Sequence, residues 1–322
     1  MKSQDNNGCF DICSFLYEQN YKQSENRCKK DCFTPYIIIK QNKIKYHFLF
    51  VFISFIFLSP VICLSQDSDI SLTYKATMIG YGTSSIYDSY LSPLKYTGKN
   101  IGLHYEQMNK TGLMNQKITS QHLLKGNYSW SDNKSGTASY YTGLINYNYG
   151  LFYNLKPSKK LQMLTGMQAS GLLGFVYNTR NGNNPATAKA HLDLGLSAIA
   201  NYKFQIRSQP IQIRDQFCIP FIGTMYSPNF GQSYYEIGLG ATDNLFHLAS
   251  FKNYFRVNNM LLAEIPFNKF TLLFSYCFSF YETRINDLDT RLITNTFYIG
   301  LSSNYFIVKG KQKKNNYRYV FE

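Results

Sequence analysis

Residues 188–206 carry the feature that most restricts how this chain can fold, an apolar/polar alternation of period two that runs the length of the stretch with Ile199 its one apolar residue out of step. Ala188, Ala190, Leu192, Leu194, Leu196, Ala198, Ala200, Tyr202, Phe204 and Ile206 fall on one parity, against Lys189, His191, Asp193, Gly195, Ser197, Asn201, Lys203 and Gln205 on the other. A strand points successive side chains to opposite faces, whereas a helix would scatter this pattern around its circumference. The split recurs at 270–280, with Phe270, Leu272, Phe274, Tyr276, Phe278 and Phe280 opposite Thr271, Ser275, Cys277 and Ser279. At 297–307, Phe297, Ile299, Leu301, Tyr305 and Ile307 oppose Tyr298, Gly300, Ser302, Asn304 and Phe306. Further candidates are 70–82, 99–108, 116–130, 137–154, 160–178, 210–226, 233–240, 253–267 and a last strand at 317–321, about twelve in all.

Several of these stretches outrun the usual strand of a soluble protein and match what a tilted strand needs to cross a bilayer. Tyr 28 and Phe 25 beside a single Trp also exceed an ordinary core's needs and fit the aromatic girdles of membrane barrels. Mean hydropathy of -0.27 excludes a polytopic helical membrane protein but not a barrel, whose alternate residues face inward. In lipid every backbone polar group must be paired, which only helices and closed barrels achieve. The expected fold is therefore all-β, an antiparallel transmembrane β-barrel of about twelve strands over residues 66–322. Residues 180–190, RNGNNPATAKA, fit as a connection: Asn181-Gly182 and Asn184-Pro185 are turn dipeptides, and the small residues after them begin the next strand.

Export is predicted from KIKYHFLFVFISFIFLSPVICLSQ, residues 43–66. Lys43 and Lys45 precede an apolar run that ends in the small residues Cys63 and Ser65, a signal-peptide layout over 43–65 with cleavage after Ser65. An uncleaved anchor is the alternative reading, and lipidation of Cys63 fits poorly because no small residue precedes it. The extension 1–42 holds Cys9, Cys13, Cys28 and Cys32, two C-x3-C units that suit disulfides or zinc. No Met lies between Met1 and Met78, and an alternative start codon near 37–45 would remove this extension altogether. The exported chain keeps Cys218 and Cys277, too few for a disulfide framework.

YNTRNGNNPATAKAHLDLGLSAIANYKF (177–204), MYSPNFGQSYYEIGLG (225–240), RINDLDTRLITNTFYIGL (284–301) and YLSPLKYTG (90–98) resemble a Bacteroidetes envelope family known as domain of unknown function 3316. The resemblance spans about 70 to 308. It implies a signal peptide and an outer-membrane barrel, with no established activity or catalytic residues to carry over.

The polar parity supplies the candidate site, a set of lumen-facing residues: Lys75, His104, Glu106, Lys125, Lys189, His191, Asp193, Lys203, Arg214, Arg256 and Glu264. Their basic excess predicts mild anion preference if the barrel is open, and mutually satisfied charges if it is filled. After residue 65, 25 basic and 14 acidic residues remain, 33 less 8 and 19 less 5, a net +11. His104 with Glu106, and His191 with Asp193, share faces in the way that orients a general base, with Ser170 or Ser197 as conceivable nucleophiles. No nucleophile elbow, Walker loop or dinucleotide fingerprint accompanies them, so no catalytic set, metal or cofactor is assigned. Basic residues scattered through strands argue against nucleic acid, and KGKQKK (309–314) suits anionic headgroups. The expectation is a non-enzymatic outer-membrane barrel, a passive small-solute pore or structural envelope component, partnered by outer-membrane lipid and small anionic solutes. A barrel-type lipid hydrolase and a soluble periplasmic β-sandwich or lipocalin-like binder are the alternatives.

Overall fold

Alternation translates directly into strands. The computed structural model describes residues 70–267, 270–308 and 311–314; the extension 1–42, the signal segment 43–65 and the strand expected at 317–321 lie outside them. The strands are β1 (Ile70–Asp88), β2 (Ser92–Lys110), β3 (Ile118–Asn133), β4 (Ser139–Leu155), β5 (Leu161–Asn178), β6 (Ala186–Ile206) and β7 (Gln209–Tyr226). They continue as β8 (Phe246–Ser250), β9 (Tyr254–Pro266), β10 (Thr271–Ile285), β11 (Leu288–Val308) and β12 (Lys311–Lys314). Every pairing is antiparallel, in the order β1-β2-β3-β4-β5-β6-β7-β9-β10-β11. The ring closes where β1 meets β11, from Ile70↔Val308 to Asp88↔Thr290.

The closed ring thus has ten strands rather than about twelve. At 233–240 the expected strand is instead a short helix, α1 (Tyr234–Gly238), started by a capping box in which Ser233 and Glu236 exchange hydrogen bonds. The two short strands lie off the ring path: β12 adds to the end of β11, and β8 pairs with β7 alone. β8 and β9 occupy consecutive lengths of β7, with Ser250 opposite Ile222 and Asn258 opposite Cys218. Four steps along β7 therefore face eight along the other chain, and the excess is looped out around 251–253.

Tight connections follow their residues. Asn286 and Asp287, both at positive φ (54° and 58°), form the two-residue hairpin between β10 and β11, where Asn and Asp tolerate the left-handed region best after Gly. With β1 and β11 defining a termini end, the connections 111–117, 156–160, 207–208 and 267–270 lie there. The connections 89–91, 134–138, 179–185, 227–245 and 286–287 lie at the opposite, loop end.

The two faces of the ring are both rich in apolar side chains. Outside, Ile79, Leu103, Ile145, Leu173, Leu196, Phe297 and Ile299 are exposed, among many others on every ring strand. A soluble monomer exposes no continuous apolar belt of that extent, so the exterior is the surface of a membrane barrel. Inside, Tyr74, Met78, Met108, Phe152, Leu164 and Leu262 belong to one buried cluster and Ile86, Tyr96, Tyr140 and Tyr254 to a second. Room for one inward aromatic comes from glycine: a Cβ on Gly80 would sit 2.6 Å from the Tyr298 ring. The interior is thus a packed core.

Candidate functional site

The polar residues inside the barrel form two ionic clusters at different depths. Nearer the termini end, Arg214 of β7 meets Glu106 of β2 through Nη2–Oε2 at 2.5 Å and Nη1–Oε1 at 3.2 Å. In a ring of ten, β2 and β7 are five places apart, so this ion pair crosses the full width of the lumen. Glu264 of β9 adds its Oε1 at 3.8 Å from Arg214 Nε and accepts from the Tyr74 hydroxyl at 3.2 Å. The Tyr74 ring lies 5.2 Å from the guanidinium carbon, within cation–π range. Gln121 donates to Glu106, and the Gln121 and Gln216 amides exchange two hydrogen bonds of 2.9 Å. Arg214 is 1% exposed and Glu106 0%, so the charges are held by one another and not by solvent.

Toward the loop end, Arg256 of β9 donates to Asp193 at 3.1 Å and meets His191 Nε2 at 2.8 Å. The Tyr254 hydroxyl donates to the other Asp193 oxygen at 3.0 Å, and the His191 ring stacks on Tyr281 with centroids 5.4 Å apart. Lys189 of β6 pairs with Asp88 of β1 at 2.7 Å and donates to Thr290 at 2.9 Å. β6 and β1 are again five places apart, so a second ion pair spans the lumen. Between the clusters, Lys125 reaches the Cys277 sulfur at 3.6 Å and, with Asn146, Asn148, Gln168 and Cys218, lines a polar cavity of about 20 Å³, room for one water. His104 lies edge-on to Tyr298, and neither ring nitrogen has a hydrogen-bond partner among the described residues.

Loops close the mouth at the loop end. Leu91, in the β1–β2 turn, is buried, and its carbonyl accepts from Asn178 at 3.3 Å and Asn181 at 3.2 Å on the far side of the ring. That assigns a task to the RNGNNP stretch: Asn181 also caps the backbone of Asn183 and Asn184, fixing the turn that holds Leu91. Over the same mouth, Tyr90 donates to the Gln232 carbonyl at 2.7 Å and packs edge-on against Tyr234, whose hydroxyl accepts from Ala188 N at 2.5 Å. Burial pushes the Tyr90 phenol up to about 12, so it remains a donor at neutral pH. Asn286 donates from its amide to the carbonyls of Ser227, Pro228 and Asn244, tying the 227–245 connection to the β10–β11 hairpin.

Ten of the eleven lumen candidates share the inward parity. His104, Glu106, Lys189, His191, Asp193, Arg214, Arg256 and Glu264 are buried, and Lys125 and Lys203 half-buried. Lys75 is the correction: it lies on the outward face with Thr77 and Ile79, its ammonium 5.7 Å from the Tyr305 ring. The rule that polar residues face inward fails there because the neighbouring inward residues are Tyr74, Ala76 and Met78. The sequence reading missed Asp88, Tyr74, Gln121, Gln216 and Tyr254. Asp88 lies on the parity opposite to Lys75, so it follows only once Tyr74, Ala76 and Met78 are taken as the inward face of β1. With the half-buried Lys125 and Lys203 counted, the inward-facing charges are five cations (Lys125, Lys189, Lys203, Arg214, Arg256) against four carboxylates (Asp88, Glu106, Asp193, Glu264), which cuts the basic excess on which anion preference rested from three charges to one. Among the described residues no cluster of His, Cys, Asp or Glu is arranged to hold a metal ion, and Cys218 and Cys277 are both free thiols.

A closed antiparallel ring with a lipid-type exterior and a filled interior defines a membrane β-barrel, of the kind found in bacterial outer membranes. Within that class, a family model described as "Protein of unknown function (DUF3316)" matches residues 49–312, and the chain belongs to that family. A comparison with curated proteins found no match. Among solved structures, the chain is similar to the outer membrane protease OmpT from Escherichia coli, at 8% identity and TM-score 0.39, covering 74% of this chain and 98% of that one. It is similar to the transport unit of the autotransporter AIDA-I from Escherichia coli, at 11% identity and TM-score 0.39, covering 77% and 88%. An outer membrane channel from Pseudomonas putida F1 matches at 9% identity and TM-score 0.29, covering 72% and 95%. Likeness at this level concerns fold alone.

Proposed function

We propose that this chain is an outer-membrane β-barrel, exported by its 43–65 segment, that serves as a non-conducting structural component of the envelope rather than a solute pore. The observation that carries the reading is the pair of ion pairs, Arg214–Glu106 and Lys189–Asp88, each joining opposite walls of the lumen at its own depth. A conducting pore needs a continuous aqueous path lined by groups that exchange partners with a passing ion. Here the lining groups are bonded to one another, apolar side chains fill the space around them, and the mouth is covered by Leu91, Tyr90 and the 227–245 connection. In this reading His191 and His104 act as packing groups, and lipid is the main partner. Planar-bilayer recording of the purified protein tests it: insertion without steady conductance is expected. A stable ohmic conductance of either ion selectivity overturns it.

A further inference from the structure

The two ends of the barrel differ sharply in charge. At the termini end the described connections 111–117, 156–160 and 207–208 carry Lys117, Lys156, Lys159, Lys160 and Arg207, and no Asp or Glu; the fourth, 267–270, also lacks an acidic residue. At the loop end the connections carry Lys134 and Arg180 against Glu236, Asp243 and Asp287, and the looped-out segment 251–253 between β8 and β9 adds Lys252, which brings the two signs level. The five named cations are exposed, and none of them forms an ion pair among the described residues.

These cations form one arc. The Lys117 carbonyl accepts from Asn154 N at 2.8 Å, which sets the first connection beside the second; the Lys160 carbonyl accepts from Lys203 N at 2.8 Å, which sets the second beside the third. Along the same arc Leu113, Met114, Leu155 and Ile206 are exposed, the last two ending the outward face of β4 and β6. Charge outside and apolar side chains just inside is the arrangement in which a lysine stem lies along hydrocarbon and its ammonium reaches headgroup phosphate. A soluble acidic partner or a polysaccharide would leave those apolar residues without a role.

We propose that this arc binds the headgroups of anionic phospholipids in the leaflet at the termini end, so that the barrel gathers a patch of acidic lipid around one half of its rim. The inference rests on the membrane-barrel reading and names the lipid class that reading leaves open. Anionic headgroups gain from each nearby Lys or Arg, and the gain falls off within a Debye length.

The test is reconstitution of the purified full chain into vesicles of equal phosphatidylcholine and phosphatidylglycerol, followed by mild detergent extraction and mass-spectrometric analysis of the retained lipid. Phosphatidylglycerol should be enriched roughly fivefold, the ratio set by about 1 kcal/mol, and molar salt should erase the preference. A variant with Lys117, Lys156, Lys159, Lys160 and Arg207 all changed to Gln should lose it, while Lys134, Arg180 and Lys252 changed to Gln should keep it. Equal retention of both lipids by the wild-type protein overturns the proposal, as does enrichment that survives in the five-site variant or follows the loop-end variant. Capture by purified peptidoglycan without lipid preference would also overturn it. Failure of the wild-type chain to enter any vesicle would instead sink the membrane-barrel reading beneath it, a result distinguishable by the absence of a heat-shifted band on gels.

Discussion

Arg214→Met separates a sealed lumen from a wet one. The substitution keeps volume and removes the cation, leaving Glu106 (0% exposed) and Glu264 (6%) without their counter-charge. Arg214 makes two hydrogen bonds to Glu106, a weaker contact to Glu264 and a face contact with Tyr74. Hydrogen bonds to charged groups contribute about 1.5–3 kcal/mol each, and stripping one partner from a buried pair costs about 3–5 kcal/mol because the other charge is stranded. The same change in a water-filled pore would cost about 0–1 kcal/mol, the value of an exposed pair. Urea unfolding in detergent micelles, followed by the fraction of the fast-migrating folded band before boiling, measures the difference. The expected loss is about 3–5 kcal/mol. Adding Glu106→Gln and Glu264→Gln to Arg214→Met should recover part of it, because the stranded charges are then gone. A single-variant cost below about 1 kcal/mol would refute the desolvated cluster and with it the sealed lumen.

Leu196 is 62% exposed on the outward face and lies opposite Met167 and Ile219, so Leu196→Arg should destabilise the folded barrel by about 2–4 kcal/mol, whereas Asn183→Arg in the exposed turn should stay within about 0.5 kcal/mol; equal costs in the same urea assay would show that the outer face is not the lipid face. Ser197→Arg, on the buried face where Ser197 donates to the Phe217 carbonyl, should also cost about 1–3 kcal/mol by overpacking, and free tolerance of it would indicate an empty lumen. Tyr90 has its phenol raised from 10.0 to about 12 in the fold, so its contribution to holding the mouth closed is full below pH 10 and is lost as pH rises through about 12; proteolysis of the 227–245 connection should accelerate over that window in wild type and show no such step in Tyr90→Phe. N-terminal sequencing of protein from membranes should begin at Gln66, and a retained Met1 or a lipid on Cys63 would defeat the export reading.

Strand existence and facing were legible because period two is a local property: Leu196 and Ser197 differ by one residue and end on opposite faces. Strand ends were not, since a strand continues as long as its neighbours pair with it. β1 runs to Asp88 because β11 and β2 accompany it there, and stopping it near residue 82 with Lys75 placed inward left out a carboxylate that closes the lumen. At 233–240 Tyr235, Ile237 and Leu239 mimic alternation, yet Ser233-x-x-Glu236 is a helix-start signal that outranks it. Lys75 shows the limit of reading lumen from polarity, because an interior that is partly apolar inverts the rule. The long-range partners, Arg214 with Glu106 and Lys189 with Asp88, join residues about a hundred positions apart and depend on ring order, which no local pattern carries.

Closure of the ring also dictates when the barrel can exist. The seam joins Ile70–Asp88 to the last long strand, Leu288–Val308, through an unbroken ladder. A nascent chain that has emerged only as far as β10 therefore has two bare edges, and bare edges have no place in hydrocarbon. Insertion strand by strand into unassisted lipid is excluded on that ground, and the first strand has to wait, unpaired on one side, for the whole of the chain between them. Such high contact order makes folding slow and leaves the waiting chain exposed to aggregation. Removing β11 should then abolish membrane assembly outright instead of yielding a smaller barrel.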